Sequence, residues 1–219
     1  MHDTIIPTFG LQVHTAFMLY VMLGLTIFSA IMAKRLRLVP GRTQSIVELV
    51  VTSFEGMVDE TMGHKGRKYF PFIMTFAVFI FVSNLLGLIP GLLPPTANLN
   101  TTLALALIVF VTTHIVGVRE HGFKYLKQFM GPALWLAPLM IPIEIIGHLA
   151  RPVSLSLRLF GNIMGHEQIV AVLLILMPIA YPLLALSTVL GVLVVFIQAF
   201  IFALLSMMYI GTALEEPHH

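Results

Sequence analysis

The chain has 219 residues, of which 58% are hydrophobic and 10% charged, with a formal net charge of +2, against about a quarter charged in an ordinary soluble domain. That balance excludes a soluble globular protein and defines an integral membrane protein with several runs of the ~20 apolar residues that cross ~30 Å of hydrocarbon. Cysteine is absent, which excludes disulfides, thiolate metal sites and cysteine nucleophiles, and the thirteen methionines read as adaptable packing.

Residues 1–11 are polar, carry Asp3 and lack a basic residue, so they do not form the charged start of a cleaved signal peptide. The first span is expected over Val13 to Ala33, stopped by the KRLR cluster, with His14 as a wetted residue at its other end. Gln44 to Met62 then interleaves Ile46, Val47, Leu49, Val50, Phe54, Met57 and Val58 with Glu48, Glu55, Asp59 and Glu60. This is the pattern of an amphipathic helix, either lying in the membrane interface or docking another subunit.

Tyr69 to Ile89 forms the second span, with Ser83 and Asn84 as its deep hydrogen-bonding side chains. They read as interhelical glue, or, for Asn84, as the lining of a wet crevice. Asn98, Asn100, Thr101 and Thr102 cap the next span, which returns through residues 102–118 and holds His114 near its end. Ten of the twelve Lys and Arg residues fall in three clusters: Lys34, Arg35, Arg37 and Arg42; Lys65, Arg67 and Lys68; Arg119, Lys124 and Lys127. All three lie on one side of these spans, which the positive-inside rule makes cytoplasmic and which places the N-terminus outside. Membrane topology thus accounts for the basic residues, and no nucleic-acid surface is expected.

From Pro132 the chain re-enters the membrane. Pro138, Pro142 and Pro152 are expected to break or kink it, with Pro142 suited to a helix start. A helix from Ile143 to Leu176 would be about 50 Å long, and one from Leu183 to Ala213 about 46 Å. Both exceed the hydrocarbon thickness beyond what ordinary tilt absorbs. They are expected to form a strongly slanted or curved hairpin joined near residues 178–182, followed by the cytoplasmic tail EEPHH. The fold class is therefore all-α: about five membrane-embedded helices and one interfacial helix in a single membrane domain, 1–219.

Arg158 lies in the middle of that hairpin. An arginine in hydrocarbon costs between ~2.5 and ~17 kcal/mol depending on water access and bilayer deformation, which marks it as functional. Glu144, Arg151 and Arg158 are spaced by seven and lie within about 40° of one another, with Asn162 one turn further. Arg151 reads as an interfacial or packing residue. Glu167 points toward the opposite face, about 13 Å beyond Arg158, and His166 lies between these directions. Glu144 and Arg158 are about 21 Å apart on a straight helix, too far to pair directly. Carboxylates and imidazole exchange protons at accessible pH whereas Arg keeps its charge. The pattern suits a proton path interrupted by a fixed positive charge, with Ser154, Ser156, Asn162 and Gln198 able to hold water along it. Gln198 and Tyr209, eleven apart, share one face of the last helix.

At these residues the chain resembles subunit a of the F-type ATP synthase, the stator component of its membrane sector. The resemblance rests on EIIGHLARPVSLSLRLFGN, the following GHE, PTANLNTTLALAL and QAFIFALLSMMYI, and covers nearly all the chain from about residue 40. It implies a stator wrapped around a rotating ring of c subunits, with peripheral-stalk subunit b and the catalytic head as further partners. It implies no catalytic centre, cofactor or metal in this chain. Arg158 matches the family's essential arginine, which faces the ring carboxylate between two offset half-channels. Glu167, Asn162 and Gln198 match the outer half-channel; Glu144 and Ser154 match the inner one. Some members place a His or Glu seven residues before the glutamine of the sixth helix, where this chain has Gly191. His166 is the residue expected to supply that relay instead.

Two other classes fit parts of the sequence. A self-contained proton-coupled transporter or channel would usually show repeated halves and broken helices around a midplane site, and no internal repeat is visible. A haem or quinone protein would need facing histidine pairs, and the membrane histidines look scattered one to a helix. Without a transit-like extension at the N-terminus, a bacterial plasma membrane is the expected location.

Overall fold

The computed structural model describes residues 12–89, 92–122, 125, 137–175 and 181–215. Among them are six α-helices and two short 3-10 turns, without a strand: α1 (Val13–Lys34), α2 (Arg42–Met62), α3 (Phe70–Leu86), α4 (Leu99–His121), α5 (Ala137–Ile175) and α6 (Tyr181–Leu214). Four segments are long and apolar enough to cross a membrane: Val13–Lys34, His64–Leu86, Leu99–His121 and Ala185–Leu214. This is the expected all-α membrane protein. Asp3, Lys124, Lys127, Pro132 and the residues 216–219 of the tail lie outside the described residues, as do residues 176–180, where most of the expected hairpin connection falls.

Local chemistry sets the boundaries. Asn98 accepts a hydrogen bond from the Asn100 N–H at 2.9 Å and caps α4, which starts three residues earlier than expected. Gly63 (φ 64°) and Gly122 (φ 56°) end α2 and α4 in the left-handed region that favours glycine. Helix α5 departs most from expectation. It begins at Ala137, so Pro138 occupies the first turn and Pro142 lies inside the helix together with Pro152. Pro138 fills the place expected of Pro142 because an N–H missing from the first turn breaks no helical hydrogen bond. At 39 and 34 residues, α5 and α6 are about 58 and 51 Å long.

Contacts between helix ends fix the topology. Lys65, just before α3, lies 2.8 Å from Glu120 at the end of α4, and Arg67 pairs with Asp59 of α2 at 2.9 Å. The basic clusters of these segments thus meet at one end of the bundle, hereafter the basic end. At the far end His14 Nδ1 approaches the Pro94 carbonyl at 3.4 Å, and the Thr96 hydroxyl donates to Asn84 Oδ1 at 2.7 Å. Two apolar clusters fill the interior. Near the basic end Val58 and Met62 of α2 pack with Ile73, Val116, Met207 and Ile210. Further along, Phe79 and Ile80 of α3, Val109 of α4, Leu155 and Leu159 of α5 and Phe202 of α6 form the second cluster. The amphipathic α2 therefore buries its C-terminal half against α6, while Ile46, Leu49 and Val50 remain exposed.

Candidate functional site

The antiparallel register of α5 and α6 positions the polar groups. Arg151 stacks over the Tyr209 ring at 5.3 Å, the Asn162 amide donates to Gln198 Oε1 at 2.6 Å, and the His166 ring stands against Gly191. Helix α5 buries Pro152, Leu155, Ser156, Leu159 and Ile163 inside the bundle. The face it leaves exposed carries Gly147, Ser154, Arg158, Gly161 and Gly165, all within about 60° of one another at ~100° per residue. Around them the hairpin exposes Leu157, Ile169, Val192, Leu193 and Phe196. Arg158 therefore stands on an apolar outer surface, and among the described residues it makes no ion pair.

Toward the far end, α3, α5 and α6 enclose a cleft of about 510 Å³ whose polar lining is Asn84, Asn162, His166 and Ser187. Four nearby side-chain atoms are buried without a hydrogen-bond partner: Ser83 Oγ, Asn84 Nδ2, His166 Nε2 and Gln198 Nε2. Leaving such a group unsatisfied costs about 1–3 kcal/mol; Asn84 and His166 bring two of these atoms to the wall of a cleft that is otherwise mostly apolar, and ordered water beside them would satisfy both. A Cβ added at Gly191 would stand 2.6 Å from His166 Nε2. The space that a side chain at position 191 would need is thus filled by the imidazole from α5. Glu167, half-buried, stands next to His166 outside the cleft lining and lies within electrostatic reach of His14 on α1.

Toward the basic end a different group of titratable side chains meets. His148 Nε2 is 3.3 Å from Glu144 Oε1, and the His148 and His114 rings stand 5.3 Å apart between centroids, tilted by 40°. His114 Nδ1 is hydrogen-bonded to the Tyr125 hydroxyl at 2.8 Å. Tyr125 reaches it because Gly117, one turn further along α4, leaves its ring room: a Cβ there would overlap Tyr125 Cε2.

Several expectations meet this geometry directly. Asn162 and Gln198 come together, Gln198 and Tyr209 both face α5, and Arg151 packs on an aromatic ring. Arg158 and Glu144 do not pair, since the close neighbour of Glu144 is His148. Ser154 is exposed near Arg158, but Ser156 is turned inward and donates to the Val153 carbonyl at 3.0 Å, which removes it from a water path. Such back-bonding is the usual fate of a serine facing a helical interior. His114 and His148 face one another, against the expectation of scattered histidines, with their rings too close for a macrocycle between them. Thr96, Ser187 and the His114–His148 pair were not singled out from the sequence, because each acquires a role only through a contact with another helix.

A helical membrane protein that exposes one guanidinium on an apolar hairpin, with polar and titratable groups toward either end, belongs to the ion-transporting class. Residues 15–211 match the family model described as ATP synthase A chain. The chain is 55% identical over 210 residues to "ATP synthase subunit a 1" of Syntrophotalea carbinolica, covering 96% of this chain and 89% of that one. It is 59% identical over 194 residues to "ATP synthase subunit a" of Geobacter sulfurreducens, covering 89% and 84%. It is 56% identical over 194 residues to the protein of that name in Geotalea uraniireducens, with the same coverage. The chain belongs to the ATP synthase A chain family and acts as one component of that complex in the membrane.

Proposed function

We propose that this chain is the stator that couples proton flow to rotation of a ring of c subunits, with Arg158 separating two offset aqueous half-channels. The observation that carries the reading is the position of Arg158: exposed on the apolar face of the hairpin, between the cleft holding Asn162 and His166 at one end and the Glu144 cluster at the other. A ring carboxylate opposite Arg158 is held ionised by the opposite charge. It must be protonated before it turns into lipid, where a charge is costly. Rotation in one direction then requires loading from one half-channel and release into the other.

The far-end half-channel comprises Asn162, Gln198, His166 and Glu167, with Asn84 in its wall; the basic-end half-channel comprises Glu144 and Ser154. His166 supplies the relay for which Gly191 offers no side chain, and the imidazole packed into the space beside that glycine supports this assignment. The basic end is cytoplasmic by charge, the N-terminus lies outside, and the membrane is a bacterial plasma membrane. The hairpin runs slanted along the ring, because helices of this length do not fit upright. Subunit b and the catalytic head complete the partners.

The test uses inverted vesicles carrying the whole complex with Arg158→Ala. ATP-driven acidification is measured, together with passive proton leak after the catalytic head is stripped off. The expected result is loss of pumping with leak retained or increased. Pumping at the wild-type rate would overturn the separating role of Arg158 and the stator reading built on it.

A further inference from the structure

His148, buried, and His114, half-buried, meet between α4 and α5 and have no part in the path described so far, yet with Glu144 and Tyr125 they form the most continuous run of titratable groups among the described residues. From Glu144, whose side chain is 41% exposed, the contacts run to His148 at 3.3 Å, across a 5.3 Å ring-to-ring gap to His114, and on to the Tyr125 hydroxyl at 2.8 Å. The His148 side chain is only 6% exposed. The other charged or titratable groups facing the pair among the described residues are Arg151 of α5 and Tyr209 of α6, and all four side chains line one narrow pocket between the helices. Phe110 closes the pocket on the α4 side with its ring 4.3 Å from that of His114.

The electrostatics of this group are restrictive. Two imidazoles this close, beside a guanidinium that never loses its charge, strongly disfavour becoming cations together, because like charges oppose ionisation of their neighbours. Beyond the one N–H that each neutral ring carries, the pair therefore holds a single extra proton, and a second proton arriving at one ring displaces the first from the other. Each imidazole has a nitrogen that accepts and one that donates, so a proton entering at one nitrogen and leaving at the other passes through with only a tautomer to restore. At the two ends stand groups that fix direction. Glu144 is a carboxylate on the hairpin side of α5. Tyr125 is a phenol whose burial pushes its titration up, so that it remains a hydrogen-bond donor to His114.

We propose that His114 and His148 are a two-imidazole proton-transfer site that links Glu144 to the aqueous phase at the basic end, through the gap between α4 and α5. The site rests on the stator reading and extends its basic-end half-channel. A proton released by the ring beside Ser154 passes to the Glu144 carboxylate, from its oxygen to His148 Nε2, and from the imidazole pair to water at the end of α4. The reverse order serves ATP-driven pumping. Only protons move, and each group returns to its starting state after one transfer.

The test compares vesicles bearing wild-type complex, His114→Gln/His148→Gln, Tyr125→Phe and Arg158→Ala, all at matched content of assembled complex. Passive proton flux through stripped vesicles and ATP-driven pumping are each measured from about pH 4.5 to about 8 on the basic-end side, a range that spans the ordinary imidazole titration at ~6.5 and the lower values that neighbouring cations impose. The double variant is expected to lose about 10-fold or more in both rates, and to lose the inflection in the imidazole range. Tyr125→Phe, which keeps the ring packed on Gly117, is expected to shift that inflection with a loss of only about 2- to 5-fold.

A uniform decrease at all pH values, with the inflection unchanged, would identify a merely structural pair and overturn the proposal. So would wild-type flux in the double variant. If the double variant fails to assemble, Tyr125→Phe decides: an unaltered pH profile refutes the site. The Arg158→Ala arm separates the two levels. Blocked pumping there with unaffected histidine variants would refute the relay alone, whereas unimpaired pumping in Arg158→Ala would refute the stator reading beneath it.

Discussion

Gly191→Ala is the smallest change that interrogates the His166 assignment. The added methyl would lie 2.6 Å from His166 Nε2 and 2.7 Å from Leu88 Cδ2, whereas ordinary contact begins at 3.4 Å. Each neighbour must therefore retreat by about 0.8 and 0.7 Å respectively. Overpacking of this kind costs about 1–3 kcal/mol. Both displaced atoms are side-chain ends, and the cleft of about 510 Å³ lies beside them, so the cost falls at the lower end. Replacing glycine by alanine inside a helix returns about 0.8–1 kcal/mol. The two effects nearly cancel, and the subunit should assemble with almost unchanged heat resistance.

Proton transfer is less tolerant. It requires heavy atoms within about 2.6–3.2 Å, directly or through one water, and a misplacement near 1 Å can cost about 100-fold. Gly191→Ala is therefore expected to lower ATP-driven proton uptake by inverted vesicles about 10- to 100-fold at equal content of complex. Because it acts through the same imidazole, combining it with His166→Ala should lower the rate no further than His166→Ala alone. Wild-type pumping by Gly191→Ala, or losses that multiply in the double variant, would refute the relay through His166.

Three further outcomes concern the Asn162–Gln198 bond and Tyr125. Asn162→Ala removes the 2.6 Å bond and leaves the Gln198 side chain buried without its partner; it should cost about 0.6–1.7 kcal/mol, the range for interhelical hydrogen bonds in membranes, read as earlier heat-induced loss of the subunit from detergent-solubilised complex. Replacing Asn162 and Gln198 together by leucine should recover that stability but not pumping, since a matched apolar pair leaves nothing unsatisfied. The Tyr125 phenol titrates above its ordinary value of about 10 because folding buries it. Its raised value means that the stability it lends is fully present below that pH and is lost as pH rises through its folded titration. The phenolate absorbance that wild type has and Tyr125→Phe lacks should therefore appear only above pH ~10. An ordinary titration there would show that Tyr125 is not docked on α4.

The fold was legible where one chain segment carries its own signal. The spans follow from uninterrupted apolar runs and their basic ends, α2 from its two-faced pattern, and the start of α4 from Asn98. The start of α5 was misplaced because three prolines in one segment all satisfy the rule for a first turn, and only packing chooses Pro138. The same division holds at the site. At the proposed site, Arg158 stands out in the sequence by the cost of an arginine in hydrocarbon, and Glu144, Asn162 and Glu167 by their helical phase relative to it. Ser154 and Ser156 have the same chemistry and differ only in that Ser156 shares the buried side of α5 with Leu155 and Leu159, so the sequence could not separate them. His114 and His148 are separated by a connection that carries no information about their meeting; the crossing of α4 with α5 brings them together. Asn84 and Thr96 likewise owe their bond to the return of the chain at the far end.

The exposed glycines of α5 carry a consequence of another kind. A Cβ at Gly147, Gly161 or Gly165 would touch nothing within 4 Å in this chain, yet each glycine costs about 0.8–1 kcal/mol of helix stability against alanine. Among the described residues nothing inside the subunit repays that cost, so on the stator reading proposed above the requirement lies with the ring that passes over this face. Together with Ser154 they leave a shallow track in which the guanidinium is the one tall feature. A surface that must slide past a succession of identical neighbours works best with little corrugation, so that no position along the way traps it. On such a track the single obstacle is also the single checkpoint, and bulk added at any of the three glycines should act as friction on a turning partner before it weakens the subunit that carries it.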